Sequence, residues 1–227
     1  MNGFAHVAID GPAGSGKTTV ARALGRLLGI LYLDTGAMYR AVALAALRAG
    51  VDPGDEAAVE RLIRERPIRV VFDAAAPNGY RVFAGPDEFG DELEGNEVSR
   101  TASVVSAFPR VRELLAARQR EIAGTGPVVM AGRDIGTVVL PGAPVKVFLT
   151  ASLEARVARR LAELQGRGLA IPPAELRLQM EDRDRLDESR AVAPLRAAPE
   201  ATVIDSSGLS VDEVVARVAA LVAAAGE

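Results

Sequence analysis

Lys17 and Thr18 close the run Gly11-Pro12-Ala13-Gly14-Ser15-Gly16-Lys17-Thr18, a complete G-x-x-x-x-G-K-[ST] pattern. Glycines at these spacings let the backbone curl, so that successive N–H groups point into one concavity. A helix starting there turns its positive dipole end toward the same place. The chemistry implied is phosphate binding: Lys17 reaches the β- and γ-phosphates of a nucleotide, the Thr18 hydroxyl is a magnesium ligand, and Thr19 extends the cradle. A glycine-rich turn that only packs strand on helix is the competing reading. The apolar Val7 to Asp10 before the run and the helical spacing of Val20, Leu24, Leu27 and Leu28 after it favour the cradle.

The cradle alone does not name an acceptor. GTPase switches read guanine with N-K-x-D, and neither Gly16-Lys17 nor Val145-Lys146 sits in one. Transport ATPases carry a serine- and glycine-rich signature that the chain lacks. A small-molecule kinase remains.

Arginine dominates the other charges. The chain has 27 basic residues, and with only Lys17 and Lys146 as lysines, 25 are arginine. Compositional bias is the plain explanation, although a guanidinium fork also suits phosphate. Position must separate the two. Arg133-Asp134 follows a buried-type apolar run, and reads either as an ion pair or as a site beyond a strand's carboxyl end, where α/β sheets bind ligands. Arg156, Arg159 and Arg160 are either a solvated helix stripe or a set of lid residues able to swing over a phosphoryl group. The Glu181 to Arg190 stretch is either alternating surface charge or part of a site. With no cysteine and one histidine, His6, thiol and imidazole chemistry are not expected. The net charge of -3 offers no basic surface for nucleic acid. No charged leader precedes a long apolar core, and no uncharged stretch reaches the roughly 18 to 20 residues of a membrane helix, so a cytoplasmic protein is expected.

The elements that must position these residues alternate between strand and helix. Strands are expected at Val7–Asp10, Leu31–Leu33, Val128–Ala131, Val145–Leu149 and Thr202–Ile204. Helices are expected up to Gly29, over Met38–Ala49, Glu56–Arg64, Pro109–Ala123 and Leu153–Leu164, then to about Arg185, and after the Ser210/Glu213 capping box. This alternation predicts an α/β fold with a doubly wound parallel sheet. Ile68–Phe72 and Tyr80–Phe83 form a β-rich insertion, with the acidic, glycine-punctuated residues 85–95 behind it. The expected organisation is one domain: a core over 1–65, 96–155 and 195–227, the insertion over 66–95 and a lid over 156–190. Gly166, Gly168, Pro172 and Pro173 mark the lid's hinges.

Five segments in order carry a resemblance: Ile9-Asp10-Gly11-Pro12, Leu33 to Arg40 (LDTGAMYR), Phe108 to Arg112 (FPRVR), Gly132 to Thr137 (GRDIGT) and Arg183 to Leu195 (RDRLDESRAVAPL). Together, over essentially the whole chain, they resemble the bacterial cytidylate kinases. The resemblance implies a P-loop nucleoside monophosphate kinase fold with an acceptor-binding β insertion and a helical lid, acting as a monomer with ATP and Mg²⁺ on CMP or dCMP. It implies that Thr35, Tyr39 and Arg40 line the acceptor's phosphate, with Arg40 holding it. It also implies that Ser103, Arg112, Arg133 and Asp134 read cytosine and position the acceptor, and that Arg183, Asp187 and Arg190 contact sugar and nucleotide. Lys17, Arg156, Arg160 and Arg183 are the expected catalytic cations. Thr35 departs from the serine frequent in relatives but keeps the hydroxyl. The chemistry agrees: a carboxylate such as Asp134 accepts from the N4 amine of cytosine, and arginines donate to N3 and O2. A UMP/CMP or adenylate-type kinase and a non-catalytic ATP-binding module are the alternatives.

Overall fold

The computed structural model describes residues 6–226. Residues 1–5 and 227, where the reading of the N-terminus and the outer limits of the expected core fall, lie outside them. The chain opens with β1 (Val7–Asp10), α1 (Lys17–Leu28), β2 (Leu31–Asp34), α2 (Thr35–Ala49) and α3 (Glu56–Glu65). Next come β3 (Ile68–Phe72), β4 (Tyr80–Ala84), β5 (Asp87–Phe89), α4 (Asn96–Val105) and α5 (Pro109–Ala123). The last third holds β6 (Val128–Gly132), a π turn (Ile135–Val139), β7 (Val145–Thr150), α6 (Leu153–Gly166), α7 (Pro173–Ser189), β8 (Thr202–Asp205) and α8 (Val211–Ala225). Two compact units result, one of Met1–Ile30 with Pro127–Glu227 and one of Leu31–Gly126.

In the first unit, β6, β1, β7 and β8 lie side by side in that order, all parallel. Val7 stands opposite Val129 on one side and Val145 on the other, and Val147 stands opposite Thr202. Every residue of β1 and β6 is buried, as a parallel sheet covered on both faces requires. α1 buries Val20, Ala21 and Leu24 and stops at Gly29, whose φ of 66° suits a helix end that only glycine enters without strain. Ser210 and Glu213 form the capping box that starts α8. α6 and α7 share a small apolar cluster of Leu164, Leu176 and Met180, flanked by Leu153, Val157, Leu161 and Ile171.

In the second unit, β3, β4 and β5 form an antiparallel sheet, with Val82 paired to both Val70 and Phe89. Ile68, Tyr80, Val82, Ala84 and Phe89 are its buried face, and α2 packs against β4 and α4. Three details differ from the sequence expectation. α2 begins three residues earlier, at Thr35, because the Asp34 side chain accepts the Gly36 N–H and caps the helix there. β5 lies within the stretch read as acidic and glycine-punctuated, and α4 in one to which no element was assigned. The chain after Asp134 makes a π turn, closed by Leu140 N donating to Ile135 O at 2.7 Å.

Candidate functional site

The cradle springs from the end of β1. Gly11 has φ 151°, and a Cβ on it would lie 2.0 Å from the Leu149 carbonyl oxygen, so a larger residue would push the loop off β7. Gly16, at φ 92°, ends the loop and starts α1. Lys17 is buried within the loop and donates Nζ to Pro12 O at 2.6 Å and to Ser15 Oγ at 3.3 Å. Thr18 and Thr19 are exposed on the first turn of α1. The exposed Thr18 hydroxyl beside this curl fits a magnesium ion held chiefly by phosphate oxygens and water. Among the described residues there is no cluster of three His, Cys, Asp or Glu side chains suited to a metal.

The three arginines of α6 have three different surroundings. Arg156 is buried; it donates Nε to Ala151 O at 3.1 Å and Nη1 to Ala13 O at 3.2 Å, and pairs with Asp184 of α7 at 2.6 Å. Arg159 donates Nη1 to Ser206 Oγ at 3.0 Å, and that hydroxyl donates to Ser15 O of the cradle at 3.1 Å. Arg160 pairs with Glu163 one turn along, on a partly exposed face. The solvated-stripe reading thus fits Arg160 alone.

Beyond β6, Arg133 donates Nε to Asp187 at 2.8 Å, and Arg190 pairs with the other carboxylate oxygen. Burial would raise the Asp187 acid, but Arg133, Arg190 and Arg183 outweigh it and hold it below the usual carboxylate range. Asp134 is buried at the mouth of the π turn. Asp10, the last residue of β1, anchors that turn: its Oδ1 accepts from Ile135 N and its Oδ2 from Gly136 N, both at 2.7 Å. Burial pushes the Asp10 acid up to about 6 against the pull of these two amides, with Asp134 raising it further and Lys17 lowering it.

The second unit carries Thr35, Tyr39, Arg40, Ser103 and Arg112. The first three follow from the early start of α2, which buries Thr35 in its opening turn and sets Tyr39 one turn later. Arg40 donates Nη2 to Asp34 at 3.2 Å and to Glu94 at 2.8 Å; burial opposes its charge, and the two carboxylates more than restore it. Behind it, Tyr32 and Tyr80 pack with ring centroids 5.7 Å apart, and burial beside Asp34 pushes the Tyr80 phenol above its ordinary value. The buried Arg112 guanidinium lies 5.6 Å from the Tyr39 ring centroid and donates to Ser106 O at 2.9 Å. Ser103, half-buried on α4, donates to Ser99 O at 3.3 Å.

Each unit therefore gathers its own share of the expected residues: the cradle with Arg133, Asp134, Arg156, Arg183, Asp187 and Arg190 in one, and Tyr39 with Arg112 and Arg40 in the other. Sequence reasoning assigned no role to Asp10, Glu94, Asp184 or Ser206. For Asp10 the available signal was a carboxylate ending an otherwise apolar strand.

The family model for cytidylate kinase matches residues 7–224. Among curated relatives, a cytidylate kinase of Pelotomaculum thermopropionicum is 47% identical over 99% of this chain and 98% of its own length. One of Mycobacterium avium is 49% identical over 92% of this chain and 91% of its own. An uncharacterized protein of Eubacterium ventriosum shares the fold, with a TM-score of 0.54 at 14% identity, covering 97% of this chain and 99% of that one.

Proposed function

The chain belongs to the cytidylate kinase family, and we propose that it performs the family's reaction with the phosphate cradle and the arginine network described above. It is a nucleoside monophosphate kinase: the γ-phosphoryl group of ATP passes to CMP or dCMP, giving CDP or dCDP and ADP. The family match over residues 7–224, with the cradle intact, carries this conclusion.

In our reading a phosphate oxygen of CMP forms the new P–O bond while the bond from the γ-phosphorus to the ADP oxygen breaks. A phosphomonoester's second pKa is about 6, so the attacking oxygen is already ionised at neutral pH and no side chain need take its proton. The barrier is instead repulsion between two polyanions. Lys17 leaves Pro12 O for the β- and γ-phosphates, and the curled amides of Gly14 to Thr18 hold the donor. Bound at Thr18, magnesium would neutralise charge on the phosphates. Arg40 takes the acceptor's phosphate, with Asp34 keeping its guanidinium oriented, and Thr35 and Tyr39 line the same group. Asp134 accepts the cytosine amine, with Ser103, Arg112 and Arg133 completing the base contacts. Asp187, its charge secured by Arg133, Arg183 and Arg190, takes the sugar hydroxyls. For Arg156 to act on the transferring group it must leave Ala13 and Asp184; Arg160 and Arg183 are the other cations assigned to that charge. We take residues 66–95 as the acceptor-binding insertion and 156–190 as the lid. The protein is proposed to work as a cytoplasmic monomer on free nucleotides, and its net charge of -3 gives no support for binding nucleic acid.

An acceptor panel of AMP, CMP, dCMP, UMP and GMP with ATP and magnesium tests this. CMP and dCMP are expected to give the fastest ADP release, chelation of magnesium to abolish it, and Lys17→Ala to lower it by at least about a hundredfold with an unchanged circular dichroism spectrum. Failure to form CDP would overturn the proposal.

A further inference from the structure

Asp10 has no place in the transfer step, yet it is a carboxylate only 4% exposed inside a parallel sheet. Both of its oxygens are committed to the amides of consecutive residues, Ile135 and Gly136, which lie 125 and 126 positions further along the chain. Those amides come directly after Arg133-Asp134. Contact is tight at 136: a Cβ there would stand 3.3 Å from Asp10 Oδ2 and 3.4 Å from the Lys146 stem, so that these neighbours would have to give by a few tenths of an ångström. On its other side, Asp10 is bonded to Gly11, the first residue of the cradle. Lys17 and Asp134 are the charged groups that act on it.

We propose that Asp10 is a positioning residue for base recognition: it ties the turn bearing Asp134 to the strand from which the phosphate cradle springs. The proposal rests on the reading of Asp134 as the group that accepts the cytosine amine. Two features set Asp10 apart from a general support of the fold. Its side chain bonds to the turn rather than to neighbouring strands, and it does so through both oxygens onto consecutive amides, which constrains the turn's orientation as well as its distance. Loss of one bond should therefore loosen the base reader more than the cradle.

The test is steady-state kinetics of Asp10→Asn, Gly136→Ala and Asp134→Ala, with CMP, UMP and ATP varied separately at pH 8, where both the acceptor phosphate and Asp10 are ionised. Asparagine retains one acceptor and turns an N–H₂ toward the other amide. Asp10→Asn should raise the KM for CMP about tenfold and narrow the CMP-over-UMP ratio of kcat/KM, as Asp134→Ala does, while the KM for ATP stays within about twofold. Gly136→Ala, which crowds the same carboxylate without removing it, should move the same constants in the same direction, and it decides the matter if Asp10→Asn does not fold. A parallel rise in the KM of CMP and ATP would overturn the proposal. So would an unchanged CMP-over-UMP ratio in Asp10→Asn beside a narrowed one in Asp134→Ala. An unchanged ratio in Asp134→Ala would instead sink the base-reading assignment, and this proposal with it.

Discussion

Asp10 and Asp187 are both buried carboxylates in the first unit, and they are shifted in opposite directions. Burial dominates Asp10 and lifts it from 3.8 to about 6, because its strongest partners are two uncharged amides. Burial also opposes Asp187, but three arginines reverse the outcome. The consequences for stability follow from which state holds the proton more tightly. Folded Asp10 holds it more tightly than the unfolded chain does, so its contribution is fully present below about pH 4 and is lost as pH rises through about 6. Folded Asp187 holds it less tightly, so its contribution is present above about pH 4 and is lost as pH falls below that. Melting temperatures of the wild type and Asp10→Asn across pH 4 to 7 isolate the first effect. The wild type should lose ground to the variant as pH rises, with most of the change complete near pH 6. Asp187→Asn compared in the same way should diverge from the wild type at neutral pH and approach it only in acid. A pH-independent difference between the wild type and Asp10→Asn would contradict the assignment.

At the scale of elements, α6 shows what a helix stripe conceals. Arg156, Arg159 and Arg160 stand at i, i+3 and i+4, so periodicity treats them alike. Tertiary contacts separate them, since Arg156 faces the cradle and α7, Arg159 faces Ser206 and Arg160 faces its own helix. Arg156→Ala removes one partner of a buried pair and leaves Asp184 uncompensated, which should destabilise the protein by about 3 kcal/mol. Arg160→Ala breaks a partly exposed pair within one helix and should change stability by less than about 0.5 kcal/mol. Urea denaturation of the two variants would show the contrast, and equal effects would refute it. The same distinction marks how much the sequence revealed. Strands buried on both faces, such as Val7–Asp10 and Val128–Gly132, and helices with a glycine stop or a capping box were legible, because their signals are local. α4 was not, since its buried Val98, Ala102 and Val105 are spread among polar residues with no side-chain cap. Nor was β5, three residues long with two of them exposed, which gains its strand character from pairing with β4. In the site, the glycine-rich curl ahead of α1 could be read from its spacing, and Arg133-Asp134 could be placed just beyond a buried strand. The Asp10 anchor and the Arg40–Glu94 pair could not, because each joins residues more than 50 positions apart.

For the whole molecule, each unit has its own buried core, around β1 and β6 in one and around the inner face of β3, β4 and β5 in the other. No helix among the described residues is long and apolar enough to cross a membrane. The proposed lid is the segment in which movement should be visible. Sequence placed its hinges between Gly166 and Pro173, but α6 and α7 are held together on either side of that connection by Leu164, Leu176 and Met180. The connection itself is closed by hydrogen bonds from Gly168 N to Gln165 O and from Leu169 N to Leu164 O, both 2.9 Å. A pair of helices sharing a core and a bonded turn should move as one body, bending at residues 151–152 and 190–194 rather than at its tip. Ala193, with φ at 53°, lies in the second of these stretches. Amide hydrogen exchange with no ligand, with CMP alone, and with CMP plus a non-hydrolysable ATP analogue tests both the closure and its hinge. Protection across residues 156–190 should rise most with both nucleotides, and the Gly168 and Leu169 amides should stay as slow as before. Faster exchange at those two amides would return the hinge to the tip, and equal exchange of residues 156–190 in the free and doubly occupied protein would refute closure.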